Sequence, residues 1–107
     1  MMAVILQVNY TPATIEDSRT QEEKLAAAEK ISALPGFQWK FWIYNDAEKL
    51  KGGIYLFDDE KSAKAWGDQA RINIAKRGGT DISIRVLHID APLSAANKAP
   101  FPFAIEA

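Results

Sequence analysis

Cysteine is absent from the 107 residues, and histidine occurs once, as His88. The first absence excludes disulfides, thiolate nucleophiles, thiolate zinc sites and iron–sulfur clusters. The second excludes a histidine-rich metal site within one chain, and no metal is expected. Charge of one sign is not in excess either. Thirteen basic and fourteen acidic residues leave a net charge of -1, which offers no global pull toward nucleic acid or an anionic membrane. Long apolar runs are also missing. The opening "MMAVILQVNY" is too short to span a bilayer and lacks the basic region and cleavage site of a signal peptide. A cytoplasmic protein without membrane or nucleic-acid partners is the expectation.

What is present is the makeup of a globular domain. Hydrophobic residues make up 48% and charged residues 25%, over a length suited to one domain. Residues 3–10, "AVILQVNY", read as a first strand rich in β-branched side chains. After a turn, Thr14 and Asp17 offer a capping box for a helix running to about residue 33. Leu25, Ala28 and Ile31 fall near one face of that helix and predict its buried stripe. Pro35 and Gly36 end it. "FQWKFWIY", 37–44, is the second strand, and "NDAEKLKGG" is a hairpin connection whose Gly52–Gly53 reads as a turn. "IYLFD", 54–58, is the third strand. Asp58 or Asp59 caps a second helix that ends at Gly78–Gly79, with Ala63, Trp66, Ala70 and Ile74 on one face. "DISIRVLHID", 81–90, is the fourth strand.

The order β-α-β-β-α-β predicts an α+β, ferredoxin-like fold with a four-stranded antiparallel sheet and both helices on one face. Residues 1–92 form this domain, and 93–107 form a C-terminal tail. Two helices cover one sheet face only, yet no strand has a wholly polar side. "FQWKFWIY" holds five of the eleven aromatic residues and splits into Phe37, Trp39, Phe41 and Ile43 against Gln38, Lys40, Trp42 and Tyr44. Each large apolar side chain is worth roughly 1.5–3 kcal/mol when buried, so an exposed face would forgo many kcal/mol. Sheet-to-sheet homodimerisation is the expected solution, with the tail free to pack on the partner subunit.

"PGFQWKFWIY", "KGGIYLFDDEKSAKAW" and "VLHIDAPLSAANKA" resemble the YdhR-type mono-oxygenases, small members of the dimeric α/β-barrel superfamily. The resemblance covers roughly residues 3–99. It implies a homodimer of face-to-face sheets with a ligand cavity between each sheet and its helices. It also implies oxidation of a small aromatic or polycyclic phenol by molecular oxygen, without flavin, metal or other cofactor. In the haem-degrading relatives an asparagine near the end of the first strand and a tryptophan in the second helix line the site. Asn9 and Trp66 occupy comparable places. Those relatives carry a haem-ligating histidine after the tryptophan, where this chain has Ile74 to Arg77, so haem degradation is disfavoured.

Cofactor-independent oxygenation needs a site that holds an aromatic ring, favours its anion and excludes water. Asn9 could polarise a substrate oxygen. Trp42, Tyr55 and Trp66 could stack on the ring, while Lys40 or Arg85 could stabilise a phenolate. His88, which shares a strand face with Asp90, completes the candidate substrate contacts. Each residue also has a plainer reading. Asn9 could satisfy a turn, Trp66 the core, and His88 an exposed strand end. Lys40 and Arg85 could lie along aromatics with their charges in water. A non-catalytic, ligand-binding dimer of the same fold is the alternative function.

Overall fold

The computed structural model describes residues 3–13 and 19–100. Their order is β1 (Val4–Thr11), α1 (Gln21–Ser32), β2 (Phe37–Asn45), β3 (Leu50–Phe57), α2 (Glu60–Lys76), β4 (Thr80–His88) and α3 (Ala91–Ala96). The four strands form one antiparallel sheet in the order β2-β3-β1-β4. That is the expected ferredoxin-like α+β arrangement, with a short terminal helix added. No helix among the described residues is long and apolar enough to cross a membrane.

Strand alternation divides the sheet into two faces. Val4, Leu6 and Val8 of β1 join Tyr55 and Phe57 of β3 in a core closed by Ile31 of α1 and by Ala63 and Ile74 of α2. Trp66, Ile82, Ile84 and Val86 pack against this core. Ile5, Gln7 and Asn9 have the opposite parity and stand on the outer face, in register with Leu56, Ile54 and Gly52 of β3.

Local chemistry sets the helix ends. Thr20 caps α1, receiving the Glu23 amide while the Glu23 carboxylate receives the Thr20 amide. The helix therefore starts later than expected, and Thr14 and Asp17 lie outside the described residues. Ile31 is buried, but Leu25 is 57% exposed, so the stripe expected on α1 is confined to its last turns. Asp59 caps α2 through the Ser62 amide, and Gly78 ends the turn beyond it at φ +85, where a Cβ would be strained.

Three features of the chain depart from the simple pattern. Gly52–Gly53 is not a turn but lies inside β3, which begins at Leu50. Side chains do not fit there: a Cβ on Gly52 would strike the Val8 carbonyl of β1, and one on Gly53 would sit 2.6 Å from Lys40 Cε. The register of β2 against β3 shifts between Phe37 and Trp39. This bulge leaves Gln38 without a β3 partner and puts Phe37 against the Phe57 edge in the core, 6.0 Å between ring centres. Finally, residues after Asp90 turn into α3, capped by the Asp90 carboxylate on the Leu93 amide.

Beyond α3 the chain returns to the far edge of the sheet. Trp39 Nε1 donates to the Pro100 carbonyl at 3.2 Å, so residues 89–100 run from the β4 edge to the β2 edge. The part of the tail after Pro100 lies outside the described residues.

Candidate functional site

Lys40 and Trp42 of β2 project to the helix-covered side of the sheet, beside Tyr55 of β3. Lys40 Nζ lies 3.1 Å from the centre of the Trp42 ring and 4.7 Å from that of Tyr55. Gly53, opposite Trp42 in register, leaves the space that the lysine stem fills. Burial, followed by the charges of Arg77 and Arg19, lowers the Lys40 pKa from 10.5 to about 7. The ring faces act the other way, since a cation over an aromatic ring gains about 0.5–2 kcal/mol. Burial and the two guanidiniums outweigh that gain, and the amine stays below an ordinary lysine.

Trp66, from the middle of α2, completes the cluster. Its ring centre is 6.5 Å from that of Tyr55, in an edge-on arrangement. Trp66 Nε1 is buried and has no hydrogen-bond partner among the described residues. Burial raises the Tyr55 pKa above 10.0; the Trp66 N–H opposes the rise, Tyr10 adds to it and Arg77 opposes it. Because Trp66 Nε1 closes no bond of ordinary geometry, its effect on the phenol is that of a nearby dipole. An unpaired buried N–H costs about 1–3 kcal/mol, so the donor is kept at an energetic disadvantage that a ligand acceptor would relieve.

Trp66 also lines an open cavity of about 1000 Å³. Leu34 and Pro35 form one wall, Ser62, Trp66 and Gln69 of α2 another, and His88 of β4 stands at its margin. Ser62, Trp66 and Gln69 recur at helical spacing on a flank of α2 beside the core-facing Ala63, Gly67, Ala70 and Ile74. His88 Nε2 is 3.4 Å from Glu60 Oε1, with both side chains largely exposed. Asp90 is engaged as the α3 cap, so the shared-face pairing of His88 with Asp90 is replaced by one with Glu60.

Of the residues singled out in the sequence, five stand on this side. Lys40, Trp42, Tyr55 and Trp66 are brought together, and Trp66 links them to the cavity that His88 borders. Asn9 and Arg85 are on the outer face. Asn9 Oδ1 accepts from Gln7 Nε2 at 3.0 Å, and Arg85 pairs in register with Gln7. The sheet therefore stands between Asn9 and Trp66. Leu34, Pro35, Ser62 and Gln69 were not singled out; the helical spacing of Ser62 and Gln69 with Trp66 was the available signal. No group of three or more potential metal-ligating side chains is present among the described residues.

A family model described as "Putative mono-oxygenase ydhR" matches residues 5–100. No curated protein sequence matches the chain.

Proposed function

The chain belongs to the YdhR mono-oxygenase family, and from that premise we propose an oxygenase acting on a small aromatic or polycyclic phenol without a cofactor. The observation that carries this reading is the buried, unpartnered Nε1 of Trp66, a residue that both lines an open cavity and packs edge-on against Tyr55. A flat substrate that enters beside Trp66 and extends toward Lys40 satisfies that donor with its phenolic oxygen. Trp42, which is 54% exposed, supplies a ring face.

Lys40 supplies the ionisation. Its amine, about half neutral at pH 7, takes the phenol proton and leaves a phenolate beside an ammonium. The substrate carbanion or phenolate then gives electrons to dioxygen. For an anthrone, the CH₂ carbon becomes a carbonyl, one oxygen atom enters the product and the other leaves as water. The carbon loses four electrons, and dioxygen gains four.

The same reading makes the protein a homodimer joined through the outer sheet faces. Phe41 is 56% exposed and Leu87 37% exposed on that side, where a second sheet would cover them. Asn9 and Arg85 then face the partner sheet.

Oxygen uptake with a panel of hydroquinones and anthrones tests the proposal. Uptake that falls in Trp66→Phe and Lys40→Met supports it. No uptake with any member, or uptake unchanged in both variants, overturns it. Aromatic ligands that raise thermal stability yet are recovered unaltered would make the protein a binding module instead.

A further inference from the structure

Lys40 stands out for a reason that phenol oxidation does not require. Its amine is held between two aromatic walls, and among the described residues no carboxylate pairs with it. A lysine used only as a surface cation would reach water or an acid. This one is turned back over Gly53 toward the interior of the sheet–helix layer. Trp42, which forms one wall, is 54% exposed, so a flat molecule can approach the amine from solvent by stacking on that ring.

We propose that Lys40 is a carbonyl-capturing amine that condenses with flat aromatic aldehydes or ketones to form an imine. The Nζ lone pair attacks the carbonyl carbon, and a C–N bond forms as the carbonyl π pair moves to oxygen. That oxygen leaves as water with the two protons originally on nitrogen, and a C=N bond remains. Atoms and electrons balance without an oxidant or reductant. The step does not depend on oxygen chemistry at the site.

Burial and two nearby guanidiniums outweigh the rings, which favour the ammonium. Arg77, following α2, and Arg19, preceding α1, place positive charge near the amine and, with burial, keep a large neutral fraction at pH 7. Only the neutral amine is nucleophilic. On β3, Tyr55 keeps its phenolic proton because burial raises its pKa, with Tyr10 of β1 acting in the same direction. A neutral Tyr55 adds no negative charge that would hold the amine protonated.

The test uses the full chain and 2-hydroxy-1-naphthaldehyde, with cyanoborohydride to fix any imine as a stable secondary amine. Peptide mass mapping then compares labelling at Lys40 with the other eight lysines. Lys40 should label at least about tenfold faster at pH 7, since an ordinary lysine near 10.4 is almost wholly protonated there. Its rate should rise through pH 7 and level off, while the other lysines continue to accelerate toward pH 10. Lys40→Arg should lose the fast label. Equal labelling across all nine lysines, or a Lys40 rate that rises only above pH 9, overturns the proposal. The wild-type comparison stands even where the variant folds poorly. Fast Lys40 labelling in a protein that consumes no oxygen would support carbonyl capture while removing the oxygenase reading.

Discussion

Lys40 Nζ rests 3.1 Å from the centre of the Trp42 ring, on the side of the sheet that the helices cover. Both residues come from one edge strand, two positions apart, and Gly53 on the neighbouring strand leaves room for the contact. The pair places a titratable amine where an aromatic ligand could meet it.

That placement predicts a particular pH dependence of stability. The unfolded chain holds the Lys40 proton up to about 10.5, whereas the folded chain releases it near 7. Between those values the unfolded state binds more protons, so this group makes stability rise with pH. Below pH 7 the full cost of burying the ammonium is present; above 10.5 it has vanished. Lys40→Met should therefore gain most on the wild type below pH 7 and lose that advantage by pH 10.5. Chemical denaturation across this range checks it, and parallel curves for the two proteins would contradict it.

Gly53→Ala separates the amine from the fold. The new Cβ would sit 2.6 Å from Lys40 Cε, and a flexible side chain can move away. The lysine should leave the Trp42 ring, and relief of its buried charge should offset part of the overpacking cost of about 1–3 kcal/mol. Its pKa, followed by nitrogen-detected NMR, should climb from about 7 toward the ordinary value. An unchanged titration would mean that Gly53 does not set the position of the amine.

Trp66→Phe keeps an aromatic ring in the core but deletes the unpartnered Nε1 donor. Phenolic ligands should bind about threefold to tenfold more weakly, the loss of one hydrogen bond of about 0.5–1.5 kcal/mol. Apolar aromatics without the oxygen should bind about as before. Titration calorimetry with a naphthol and naphthalene distinguishes the two, and equal losses for both ligands would assign Trp66 to packing alone.

The proposed dimer is joined through the outer face. Phe41→Asp or Leu87→Asp places a charge among apolar side chains that a second sheet is proposed to cover. Sedimentation should show a wild-type dimer at micromolar concentration and a monomeric variant. A monomeric wild type would contradict sheet-to-sheet pairing.

The element order was readable because apolar spacing changes cleanly between strand and helix periods along the chain. Val4, Leu6 and Val8 alternate, and Ala63, Ala70 and Ile74 recur each turn or two. The parity of β1 also contained information about the site: Asn9 shares the face of Ile5 and Gln7, away from Trp66. Matching Asn9 to the first-strand asparagine of haem-degrading relatives obscured that parity. Other features depend on contacts far apart in sequence. Gly52–Gly53 looks like a turn until the Val8 carbonyl and the Lys40 stem are placed beside it. The bulge at Gln38 lets Phe37 reach Phe57, a requirement visible only once β2 and β3 are paired. Pro92 sits in the first turn of α3, where its missing N–H is harmless, so the segment expected as tail begins as a helix.

Isotopically labelled dioxygen supplied with an anthrone tests the central claim most directly. Wild-type protein should yield a quinone carrying one labelled oxygen, with the second in water, and Trp66→Phe should form it more slowly. A quinone whose new oxygen comes from solvent, or labelled product at the rate of the protein-free reaction, would contradict the account.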